Sequence, residues 1–138
     1  MSRTVYDPNE SNELQVANYF AHKFKAELIK LPRFYCVDFA AFRDNEMVAW
    51  VEIKCRTNPI GKYNTFRMAY NKYTTGCDLA RHSGQKFILA VKWTDCYGYI
   101  DLSTGKYKIS FGGRKDRNDP NDLEPQVEIP NECFSIFR

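Results

Sequence analysis

Glu52-Ile53-Lys54 sets a carboxylate and an ammonium two residues apart within Met47 to Cys55 (MVAWVEIKC). The apolar, aromatic and β-branched make-up of that segment predicts a strand. Residues i and i+2 of a strand share a face, so Val48, Trp50, Glu52 and Lys54 point one way, and Val51 and Ile53 the other. A second carboxylate, Asp38, lies in Tyr35 to Phe42, a segment of the same kind. The polar Arg43-Asp44-Asn45-Glu46 between them reads as the turn of an antiparallel hairpin, with Asn45 able to take a positive φ. Directly opposed residues in such a hairpin have a constant sum of numbers. A three-residue turn of Asp44, Asn45 and Glu46 pairs Arg43 with Met47, and so Asp38 with Glu52. A two-residue turn would oppose Asp38 to Val51, so joining the two carboxylates requires the longer turn or a bulge. They would then lie roughly 5 Å apart at Cβ.

Two carboxylates that close repel unless a proton or cation lies between them. A hard divalent ion answers this by taking oxygen ligands from Asp38, Glu52 and nearby carbonyls while keeping waters. Such an ion would stabilise charge on a scissile phosphate and acidify bound water. Lys54 would orient or deprotonate that water, or neutralise transition-state charge. The competing reading is a solvated strand face on which Glu52, Lys54 and Asp38 pair loosely. The apolar neighbours Ala49-Trp50-Val51 and Phe39-Ala40-Ala41 weigh against it, because buried charge needs a partner or a purpose.

The elements that must position these groups follow from pattern. Asp7-Pro8-Asn9-Glu10 reads as a capping box, with Pro8 at the first helical position. Leu14, Ala17, Phe20, Phe24, Leu28 and Leu31 continue an apolar stripe to Pro32, predicting one long helix. Glu13 borders that stripe and is a candidate third carboxylate, a fourth member of the set after Asp38, Glu52 and Lys54, bound through water or to a second ion. A second helix is expected between Phe66 and His82, starting late or kinked at Thr74-Thr75-Gly76, with Gly84 as its stop. Lys86 to Trp93 reads as a central strand buried on both faces. Cys96 to Leu102 and Lys106 to Phe111 read as strands joined by Ser103-Thr104-Gly105, and Gly112 to Pro125 as a long loop. Val127 to Ile129 and Phe134 to Phe137 are short apolar returns. The expected fold is one α/β (α+β) domain spanning residues 1–138, a mixed sheet flanked by helices.

The arrangement Glu13, then Val37-Asp38, then Glu52-Ile53-Lys54, on helix, strand and strand, resembles the PD-(D/E)xK nuclease superfamily, and its compactness is similar to small phage-encoded members. Val37 stands where the motif's namesake has proline. The resemblance implies a restriction-endonuclease-like αβββαβ core over most of Ser11 to Leu102. It further implies Mg2+, with Mn2+ able to substitute, held by Asp38, Glu52, the Ile53 backbone carbonyl and Glu13, with Glu10 an alternative to Glu13. Lys54 would assist the attacking water, and Lys72 would be the polar contribution of the second helix. The implied activity is endonucleolytic hydrolysis of DNA by metal-activated water. The rival is an inactive nuclease-fold protein serving as a DNA-binding or virion-assembly module.

Other residues are compatible with a DNA partner. Lys62, Tyr63 and Arg67 follow the Glu52 strand closely and are placed to hold backbone, with Tyr63 able to stack on a base. Arg114 and Arg117, beside Lys115, suit phosphate contacts from the long loop, though the balancing Asp116, Asp119 and Asp122 equally fit a solvated loop. A net charge of +3 decides nothing. The five cysteines show no metal-ligand spacing and are expected to be buried or half-buried free thiols. His22 and His82 have no second ligand nearby in sequence. The absence of an apolar leader or a span of about 20 apolar residues points to the cytoplasm and away from membranes. A homodimer would suit cutting of two strands, but no interface is legible.

Overall fold

A computed structural model describes residues 8–113 and 123–138. Among the described residues two α-helices, α1 (Pro8–Phe24) and α2 (Tyr70–Ser83), accompany nine strands: β1 (Glu27–Lys30), β2 (Phe39–Arg43), β3 (Glu46–Cys55), β4 (Thr65–Ala69), β5 (Lys86–Lys92), β6 (Tyr97–Asp101), β7 (Lys108–Gly113), β8 (Leu123–Pro130) and β9 (Ser135–Phe137). The larger sheet runs β1-β2-β3-β5-β6-β9, and a smaller one runs β4-β8-β7. Among the described strands only β3 and β5 pair in parallel, with β4 and α2 forming the crossover between them. No described helix is long and apolar enough to cross a membrane.

The long first helix of the sequence reading is two elements. Lys25 takes a left-handed φ of 53° and ends α1, so Leu28 lies on β1 instead of a further helical turn, and Leu31 lies just beyond it. That strand supplies the third member of the αβββαβ order, which runs here as α1, β1, β2, β3, α2, β5 with β4 inserted. Phe66 likewise opens a strand, β4, and α2 begins only at Tyr70. It runs unbroken through Gly76, where an added Cβ would lie 2.2 Å from the Phe87 ring. Gly84 closes it in the left-handed conformation at φ 73°, as its position predicts. The strand expected from Tyr35 begins at Phe39. The one expected from Lys106 is β7, which pairs in the smaller sheet and not with β6. Both ends of the expected Gly112 to Pro125 loop are strand.

The larger sheet divides the core. Toward α1, Phe20, Val16 and Ala17 pack on Phe39, Val51, Ile53 and Ala90. Toward α2 and the smaller sheet, Ala80 joins Phe87, Leu89, Val91, Val127 and Ile129. β5 alternates between the two, Phe87, Leu89 and Val91 one way and Ile88 and Ala90 the other, which accounts for its unbroken apolar run. Of the five free cysteines Cys96 is buried and Cys36 and Cys77 are half-buried, but Cys55 and Cys133 are exposed, against expectation.

Candidate active site

The hairpin of β2 and β3 reaches the required register through a bulge and not through a longer turn. Arg43 pairs with Glu46, so the turn holds only Asp44 and Asn45, both at positive φ (53° and 65°). That is the preferred two-residue hairpin geometry, and Asn and Asp tolerate it best after glycine. Phe42 pairs with Met47, but Ala41 pairs with Ala49, leaving Val48 as a bulge. Beyond it Ala40 meets Trp50 and Phe39 meets Val51, a register that sets Asp38, one residue before β2, against Glu52. The bulge also breaks alternation at Val48, which packs on the α1 side instead of sharing a face with Trp50.

Asp38 is half-buried, and its Oδ2 accepts the Ile53 backbone N–H at 2.8 Å. Glu52 is the one buried charged side chain among the described residues, at 1 % exposure. Its Oε2 lies 3.5 Å from Lys54 Nζ and 3.4 Å from Lys72 Nζ. Its Oε1 is buried without a hydrogen-bond partner. Burial, and then the charge of Asp38, push the Glu52 carboxyl above the ordinary glutamate range, and Lys72 and Lys54 pull it back only in part. A buried carboxylate oxygen without a donor costs stability. The charge of Asp38 adds repulsion to that deficit, and an oxygen-ligated hard cation would answer both. The donor set fits such an ion.

Glu13 reaches the neighbourhood differently. It lines a cleft of about 220 Å³ with Asn12, Ile53, Lys54, Cys55 and Arg56. Its Oε1, however, is held by Lys30 Nζ at 2.7 Å, and that ammonium sits 5.2 Å from the centre of the Phe39 ring on the α1 side of the sheet. Among the described residues no three His, Cys, Asp or Glu side chains gather closely enough to form a metal site. Asp38 and Glu52 therefore stand as a pair, with Glu13 engaged elsewhere. The Glu10 side chain and the loop residues Arg114 and Arg117 lie outside the described residues.

Lys62 and Tyr63 are exposed after β3, the ammonium 5.5 Å from the ring centre. Asn131 holds their turn through the Ile60 and Tyr63 carbonyls. Arg67 is exposed on β4 opposite Glu128. None of the three is at the carboxylate pair. Arg56 escaped the sequence reading although it continues the Glu52, Lys54 spacing. It lies in the wall of the cleft, its guanidinium 4.3 Å from the centre of the Phe66 ring.

A sheet ordered β1-β2-β3-β5 between α1 and α2, with Asp38 opposite a Glu52-x-Lys54 strand, defines a restriction-endonuclease-like nuclease fold. Hjc, a Holliday junction resolvase from Archaeoglobus fulgidus, superposes with a TM-score of 0.57 over 88% of this chain and 86% of its own, at 13% identity. The chain belongs to the family described as "Phage putative PDDEXK endonuclease", whose sequence profile matches residues 1–137. No curated protein matches it.

Proposed function

We propose that the protein is a divalent-metal-dependent DNA endonuclease that cuts phosphodiester bonds by water attack without a covalent enzyme intermediate. The observation that carries this reading is Glu52, buried between two lysines with one oxygen unpartnered and Asp38 beside it. Asp38 and Glu52 would hold the ion, with magnesium the expected species. When bound, it supplies charge neutralisation at the scissile phosphate and a more acidic water. Lys54, partly exposed on the same strand face, would orient the attacking water or meet charge developing on the phosphate. Lys72, the other neighbour of Glu52, is available to hold the phosphate backbone as a point charge. Asp38 is kept in place by the Ile53 N–H. Family membership supports nuclease chemistry, and the name of the structural neighbour puts a four-way junction among the DNAs to try first.

The test is cleavage of plasmid, linear duplex and four-way junction DNA in magnesium, manganese or chelator, beside Lys54→Ala. Cutting by the wild type in either metal, lost in chelator and reduced about 10²- to 10³-fold in the variant, is expected. No cutting of any DNA would favour a binding or assembly role. Cutting that survives both chelator and the substitution would overturn the mechanism.

A further inference from the structure

The segment that delivers Asp38 is a short loop between β1 and β2 on the active face of the sheet. Its base is closed by the Leu31 N–H donating to the Asp38 carbonyl at 2.9 Å, and its bend by Tyr35 N–H to the Pro32 carbonyl at 2.9 Å. Val37 is buried in the α2-side core and Leu31 packs against it. The Tyr35 ring stacks on Trp50, centroids 6.3 Å apart at 21°, and the Trp50 indole N–H donates to Ser83 Oγ at the end of α2 at 3.0 Å. The loop is braced on both sides. Phe34 nevertheless stands 90 % exposed, more than any other large apolar side chain among the described residues.

Resting on the nuclease reading above, we propose that Phe34 stacks on an unpaired base of a branched or flapped DNA bound at Asp38 and Glu52. Phe34 precedes Asp38 by four residues, a contour of at most about 14 Å. That is about four nucleotide steps at 3.4 Å each, so the ring meets a base close to the phosphate being cut. Bases inside a continuous duplex offer no free face, whereas an unpaired base offers one to any aromatic ring. Lys54 and Lys72, on the same sheet face, give the neighbouring backbone its positive counterpart. One strongly exposed ring, next to a Tyr35 ring already stacked on Trp50 and near a charged site, suits this occupant better than a protein partner, whose interface core is contiguous and poor in charge.

The experiment compares wild type, Phe34→Ala and Phe34→Trp on a linear duplex and on the same duplex carrying a three-nucleotide flap with 2-aminopurine at the junction. Fluorescence titration gives affinity in chelator, and cleavage is followed separately in magnesium. Wild type is expected to prefer the flap and to quench 2-aminopurine. Phe34→Ala should lower the flap-to-duplex affinity ratio about tenfold and abolish quenching, and Phe34→Trp should restore both. An unchanged ratio and unchanged quenching in Phe34→Ala would overturn the proposal while leaving cleavage, and so the nuclease reading, standing. Absence of cleavage with quenching that depends on Phe34 would do the reverse. Loss of self-association in Phe34→Ala by sedimentation, with DNA binding unaltered, would assign the ring to a second copy of the chain and also overturn it.

Discussion

Val51 and Ile53, directed at α1, are 1 % and 4 % exposed; Glu52, between them in sequence and directed at α2, is 1 % exposed. At these residues the strand is buried on both sides, one with branched apolar side chains and the other with a charge, although Trp50 and Lys54 flanking that charge are only half-buried. The α1 face is satisfied by contact alone, with Phe20 seated among Phe39, Val51 and Ala90 and ring-to-ring with Tyr19, Phe24 and Tyr97. The α2 face near Glu52 is not, since an oxygen there has no donor and two ammoniums stand 3.4–3.5 Å off. Removing a group from the first face should therefore cost stability, and neutralising the group on the second should cost activity.

The largest expected effect comes from Phe20→Ala. Removing a ring that is wholly buried should destabilise by about 3–5 kcal/mol, seen in chemical denaturation, with cleavage per folded molecule retained. A loss of cleavage without loss of stability would erase the contrast between the faces.

Glu52→Gln should do the opposite. Cleavage should fall about 10²- to 10³-fold, whereas the melting temperature in chelator should hold or rise at neutral pH. The sign follows from burial, which raises the Glu52 pKa in the folded state. The contribution of Glu52 to stability is full below the ordinary glutamate value of about 4.3 and is lost as pH rises through the higher folded value. The melting temperature of Glu52→Gln minus that of wild type should therefore grow between pH 4 and pH 8. A difference that shrinks over that interval would mean the lysines more than compensate for burial.

Asp95 provides the smallest effect and a control away from both faces. Its carboxylate accepts the Ile60 N–H at 3.0 Å, which holds its pKa below the usual range. The stability it adds is present above the ordinary aspartate value of about 3.9 and is lost as pH falls through the lower folded one. Asp95→Asn should melt slightly earlier than wild type at pH 7, and the gap should close on acidification. The opposite trend would remove Asp95 as an anchor of the β3–β4 connection.

The candidate site was more legible in the sequence than the element boundaries. Glu52 and Lys54 stand out because a charged pair interrupts an apolar strand, and Lys86 to Trp93 because a strand covered on both faces has no polar alternation. The end of α1 was hidden because Leu28 and Leu31 continue the helical spacing through Lys25, a residue whose positive φ no glycine announces. β4 was masked by running directly into α2. β8 was masked by Pro125 and Pro130, which sit at strand positions usually denied to proline. Arg56 and Phe34 were passed over for another reason. Their significance lies in what surrounds them, and spacing carries none of that.

The bulged residue Val48 has a consequence for how this hairpin can vary. The tip of the hairpin and its body obey different pairing sums, and the single residue of slack between them is stored at Val48. A three-residue turn without a bulge, or a two-residue turn with one, delivers the same body. The two are isomers of one hairpin, and the two carboxylates are indifferent to which is adopted. The pairing of Phe39 with Val51, and not the length of the turn, sets the site.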